Sequence, residues 1–140
     1  MAVVCLTQNI LNLAEELGEA QPGSKTKSFC GNLAIKIAHQ QNEPDTATFM
    51  AEIIGKEYRY LDSYHAGAAV NEKTHASVGG SQQLVHIVEP IEFTRLMKPD
   101  AQNPYAQAIV YQSGKPFNAT KTERNPKGRN FLTVLFSRET

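Results

Sequence analysis

The sequence predicts one domain of the α/β layer class, and three observations carry that expectation. A Val-rich apolar run, Ala2-Val-Val-Cys-Leu6, is followed from Ile10 by apolar residues at helical spacing. The same order repeats at Leu33–Ala38 and Asn42–Ile54, and alternating strands and helices mark a layered α/β fold. A third apolar run at Leu84–Val88 and alternating segments after residue 105 add further strands. The expected architecture is a mixed sheet whose later strands form an antiparallel hairpin.

The elements follow in chain order. Residues 2–6 carry no polar interruption and read as a strand buried on both faces. Ile10, Leu13, Ala14 and Leu17 fall on one helical face opposite Glu15 and Glu16, and Gly18 stops the helix. Thr7 or Asn9 is suited to cap its start. A polar link over 19–25 leads into a short helix reaching Phe29–Asn32. Leu33–Ala38 is the second strand, with Ile35 and Ile37 on one face and Lys36 on the other. Pro44 suits a first helical turn, Ala47, Met50, Ala51 and Ile54 form an apolar stripe, and Gly55 ends that helix.

Residues 56–83 show no sustained apolar period and are expected to be a mobile or functional loop. Leu84–Val88 is a strand, and Glu89-Pro90 opens a short helix. Ala106–Gln112 and Pro116–Thr122 flank Ser113-Gly114-Lys115, which signals a hairpin. Phe131–Phe136 is the last strand. All of residues 1–140 form one domain in this reading, with 1–55, 56–83 and 84–140 as its parts.

No stretch reaches the roughly 20 apolar residues that cross a bilayer, so a cytoplasmic location is expected. Cys5 and Cys30 have no Cys or His at metal-ligand spacing and read as buried thiols. His39, His65, His75 and His86 are spaced too irregularly for a zinc site. Net charge is zero, yet residues 1–93 carry an excess of five acids and residues 94–140 an excess of five bases. A basic end of that size can meet nucleic acid or pair with the acidic half.

Three segments carry candidate chemistry. Gly18-Glu-Ala-Gln-Pro-Gly-Ser-Lys-Thr26 has phosphate-loop residues, but Ser24 separates Gly23 from Lys25 and the segment follows a helix, so a working P-loop is not expected. Thr7-Gln8-Asn9 ends the first strand, where ligands of open α/β sheets gather. A side-chain amide there can contact a nucleotide's terminal phosphate; helix capping is the other role open to Thr7 and Asn9. Lys121, Arg124, Lys127 and Arg129 surround the turn Asn125-Pro126-Lys127-Gly128, a tip that can contact DNA phosphates or a partner. Asn118-Ala-Thr120 matches a glycosylation sequon that lacks a secretory context.

Taken together, Val3-Val-Cys-Leu-Thr-Gln-Asn9, Asn32-Leu-Ala-Ile-Lys-Ile37, Asn42-Glu-Pro-Asp-Thr-Ala47 with Gly55, and Ile109-Val-Tyr-Gln-Ser-Gly-Lys-Pro-Phe117 resemble the end of the motor domain in TraG/TraD-type coupling proteins of conjugative type IV secretion. The resemblance spans most of the chain and is looser over 56–83. It implies a three-layer αβα, RecA-like P-loop NTPase architecture, here its C-terminal portion without the P-loop half. Family members are membrane-anchored hexameric ATPases that receive a relaxase–DNA complex and drive the strand to the secretion channel. By resemblance Gln8, flanked by Thr7 and Asn9, is the nucleotide-sensing residue. The chain has no Walker A loop, Walker B strand or membrane segment, so the fragment itself is expected not to be an enzyme. ATP and Mg²⁺ belong to the intact motor. The implied partners are other motor subunits in a homo-oligomer, the relaxase–DNA complex and channel components, with single-stranded DNA as a further candidate. The alternative from another class is a stand-alone protein- or DNA-binding module.

Overall fold

A computed structural model of the chain describes residues 4–65 and 77–137. Helices α1 (Ile10–Glu16) and α2 (Ser24–Asn32) precede strand β1 (Ile35–Ala38) and helix α3 (Pro44–Ile54). Strands β2 (Lys56–His65) and β3 (Ser77–His86), helix α4 (Pro90–Thr94), strand β4 (Tyr105–Gln112), a single 3-10 turn (Asn118–Thr120) and strand β5 (Phe131–Ser137) complete the order.

Local chemistry explains the helix boundaries. Asn9 is extended and its side chain accepts the Asn12 N–H, which caps α1. Gly18, at φ +75°, lets the chain turn away after α1. Glu43 caps α3 by accepting the N–H groups of Asp45 and Thr46, and Pro44 fills the first turn, where no N–H is needed. Gly55 closes α3 at φ +108° and swings the chain into β2.

Two antiparallel sheets result. The three-stranded sheet has the order β1-β4-β5, and β2 with β3 makes a separate two-stranded ribbon. Ala38 lies opposite Ile109, and Tyr111 opposite Phe131, so these residues share one sheet face. Against that face pack Ala47, Ala51 and Ile54 of α3, Phe93 of α4, and Val88 and Leu96. Phe93 is fully buried, and removing a side chain of that size from water stabilises the fold by about 1.5–3 kcal/mol. The other flank of α3 offers Phe49 and Ile53 to Ile10 of α1 and Cys30 of α2. Gln41 N–H bonds the Phe93 carbonyl, tying the end of β1 to α4.

The α/β class stands, but the expected mixed sheet does not: every described strand pair is antiparallel. Residues 4–9 are not a strand, and Val4 and Leu6 are 83% and 93% exposed. An apolar run is buried only if a strand edge and covering layers receive it, and here no described strand pairs with the outer edge of β1. Cys5 is exposed for the same reason, against the expectation of two buried thiols; Cys30 is buried. Ile35 and Ile37 do share a face, but it is the outward one, and both are more than half exposed. Lys36 points to the core side, its ammonium 5.5 Å from the centre of the Tyr111 ring and bonded to the Leu33 carbonyl.

The region expected to be a loop is mostly ribbon. Its register runs from Lys56 opposite His86 to His65 opposite Ser77. Residues 56–60 and 80–84 of the ribbon are exposed whichever face they lie on, so no half-buried alternation marks them. The remainder of that expected loop, residues 66–76 with His75, lies outside the described residues. The expected hairpin over 106–122 also differs. Gly114 does turn, at φ +73°, but β4 pairs with β5, and residues 113–130 form the long connection between them. Pro116 and Asn118 supply no apolar alternation, whereas Leu132, Val134 and Phe136 match Val110, Ala108 and Ala106 across the ladder.

Candidate functional site

The turn Thr7-Gln8-Asn9 is held from three directions. Asn9 caps α1, and the Thr7 hydroxyl donates to the Asn9 carbonyl at 2.7 Å. The decisive link comes from α3: the Ile10 N–H donates to the Thr46 hydroxyl at 2.9 Å, and that hydroxyl donates to Glu43 at 2.5 Å. Thr46 is buried, so its bond to Ile10 is shielded from solvent, and the relay ties the start of α1 to the cap of α3. Burial acts to raise the Glu43 pKa, but the bonds from the Thr46 hydroxyl and from the Asp45 and Thr46 N–H groups outweigh it and hold the carboxylate ionised below its usual range. The Gln8 side chain stays exposed at the turn.

Gln8 borders a mostly apolar groove of about 530 Å³, a volume within the ordinary range for ligand sites. Thr7, Asn9, the β1 strand, Leu13, Phe49 and Ile53 line it. Cys30 and Lys36 also face it. Burial pushes the Cys30 thiol up, against the pull of Lys36, and burial pushes the Lys36 ammonium down. Thr7, Gln8 and Asn9 therefore come together, though not at the end of the expected strand: they form the entry to a helix.

The segment with phosphate-loop residues is built around Glu19, a residue with no part in that motif. The N–H groups of Gly23, Lys25 and Thr26 do converge at the start of α2, and the carboxylate of Glu19 accepts all three at 3.0–3.1 Å. The Thr26 hydroxyl donates to the same carboxylate at 2.7 Å. That hydroxyl, then the Thr26 and Lys25 N–H groups, hold Glu19 at about 2. The convergence is thus satisfied inside the chain, and its purpose is capping. Glu19 stands seven residues ahead of Thr26, beyond the spacing of an ordinary capping box, so no local sequence pattern marks it.

Lys121, Arg124, Lys127 and Arg129 are all exposed on the connection between β4 and β5. The Ser113 N–H at its root bonds the Ala34 carbonyl, and Ala34 lines the groove beside Gln8. The root of this connection thereby abuts the groove. His39 places its ring 5.7 Å from Phe136, and His86 Nδ1 lies 3.7 Å from Glu89. Among the described residues no three His, Cys, Asp or Glu groups cluster to hold a metal ion. No described helix is long and apolar enough to cross a membrane. The sequence matched no family model, no curated protein and no solved structure.

Proposed function

We propose that the chain is part of a RecA-like coupling ATPase, a cytoplasmic αβα motor that hands a relaxase–DNA complex to a type IV secretion channel in conjugative DNA transfer. The chain by itself does not hydrolyse ATP in this reading. Gln8 senses the nucleotide of the assembled motor, with Thr7 and Asn9 shaping its turn.

The observation that supports this most is the relay from Ile10 through Thr46 to Glu43. The bond reaches across 36 residues from Thr46, in the family-like segment Asn42–Ala47, to Ile10, which directly follows the family-like segment Val3–Asn9. A sensing amide needs such support, because a residue that reports a phosphate must keep its position while the ligand changes. The outward sheet face adds a second point: Ile35, Ile37 and Phe136 are exposed there, and no described helix covers them. An αβα motor would cover that face with a further layer.

The test joins this chain to the P-loop half of such a motor and measures ATP hydrolysis. The Gln8→Ala variant is expected to lose at least about tenfold in kcat, the scale of a lost transition-state contact. The chain alone is expected to show no turnover above its own Gln8→Ala control. Unchanged hydrolysis by the joined variant would remove Gln8 from the reading.

A second reading, a stand-alone binding module, is favoured by one observation. The connection between β4 and β5 presents its bases on an ordered loop with no carboxylate paired to them among the described residues.

A further inference from the structure

We infer that the groove beside Gln8 is a binding site for a small aliphatic carboxylate, Lys36 meeting its charge and the apolar lining its chain. Among the described residues that line the groove, Lys36 is the one Lys, Arg, Asp or Glu side chain. Leu13, Phe49 and Ile53 are among its apolar lining. Val4 and Leu6 line it as well, yet both are largely exposed, so apolar surface there lacks a cover.

Thr7, Asn9 and Thr46, three of the polar residues in the groove, are already engaged. The Thr7 hydroxyl donates to the Asn9 carbonyl, the Asn9 side chain accepts the Asn12 N–H, and the Thr46 hydroxyl joins Ile10 to Glu43. Lys36 differs. An ammonium has three N–H donors, and among the described residues one acceptor meets them, the Leu33 carbonyl at 2.6 Å. Leu33 and Lys36 both line the groove, so that bond sets the ammonium at its wall. No described ion pair includes Lys36. Burial pushes the ammonium down, as for a charge taken from water with no counter-charge beside it. A partly buried cation without an anion is costly, so an anion that reaches it restores part of the lost solvation.

The lining selects the ligand. Phosphate sites gather several donors, commonly converging backbone N–H groups. The convergence of that kind at the start of α2 is closed by Glu19. One ammonium in the groove matches one negative charge, and a volume of about 530 Å³ with mostly apolar walls matches a hydrocarbon body. A carboxylate on an aliphatic chain supplies both, and its oxygens accept from an ammonium with charge-assisted strength. Binding of this kind needs neither Gln8 nor ATP, so it stands apart from the motor reading.

The test is an amide chemical-shift titration of the whole chain with octanoate, with octan-1-ol as the uncharged chain of equal length. Octanoate is expected to bind with a Kd of about 0.1–1 mM, the range for a ligand of so few atoms. The shifts should centre on β1 and on Phe49–Ile53. Octan-1-ol should bind at least about fivefold more weakly, a loss between that of an exposed ion pair and a buried charged hydrogen bond. Lys36→Met should weaken octanoate by at least about fivefold and leave octan-1-ol within about twofold. Should that variant unfold, Cys5→Ser leaves Cys30 as the single thiol to follow. At about ten times its Kd, octanoate should slow iodoacetamide alkylation of Cys30 about tenfold, as the occupied groove shields it. Equal affinity for octanoate and octan-1-ol, undiminished octanoate binding in folded Lys36→Met, or unslowed alkylation of Cys30 overturns the assignment.

Discussion

The helix-backed sheet and the β2–β3 ribbon are built from the same backbone pairing yet stand at opposite ends of a stability scale. In the three-stranded sheet, Ile109 and Ala108 are buried and α3 and α4 close over one face. In the ribbon, Tyr58 and Tyr60 are 67% and 73% exposed, and Leu84, opposite Tyr58, is 54% exposed. An isolated two-stranded hairpin is marginal in water. The ribbon is moored at its base, where Ile87 N–H bonds the Gly55 carbonyl and the Arg59 guanidinium donates to the Ile87 carbonyl. The difference teaches that hydrogen-bonded ladders set strand geometry, while burial decides which ladder resists opening.

The largest test of that contrast is Phe93→Ala. It should destabilise the domain by about 3–5 kcal/mol in urea unfolding, because the side chain is fully enclosed. A loss below about 1 kcal/mol would mean that α4 does not close the core. Thr46→Val comes next, at about 1–3 kcal/mol, since the Ile10 N–H would lose its buried acceptor. Amide exchange at Ile10 should accelerate in that variant while exchange in β4 stays slow.

The α1–α2 end responds to pH through Glu19. Its folded pKa of about 2 lies below the ordinary value of 4.5. Its stabilising contribution is therefore complete above pH 4.5 and is lost as pH falls toward about 2. Glu19→Gln should reduce stability at neutral pH and flatten the acid limb between those values in a denaturation series; an unaltered limb would break the capping account. The smallest effect is expected in the ribbon. Tyr58→Ser and Tyr60→Ser should each change global stability by less than about 0.5 kcal/mol, as at other exposed sites. A loss above about 1 kcal/mol would show the ribbon to be coupled to the core.

Much of the helical half was legible in the residues. Asn9, Gly18, Pro44 and Gly55 are local punctuation, and their effects need only a few neighbouring atoms. The candidate site was legible in part. Gln8 was singled out, but the Thr46 hydroxyl that supports its turn comes from 36 residues away and leaves no local trace. Glu19 was passed over for a related reason, since it serves a helix start across an intervening loop.

By itself, then, the sequence determined the α/β class, the helix ends, the outward charge around the turn Asn125-Pro126-Lys127-Gly128 and the apolar stripe of α3. Only the tertiary structure decided the antiparallel order β1-β4-β5, the ribbon, the exposure of Val4–Leu6 and the partner of each carboxylate. The division is physical. Capping, turns and helical period are interactions among near neighbours, whereas strand partners and burial depend on which distant surfaces meet, and residues that alternate weakly constrain that choice least.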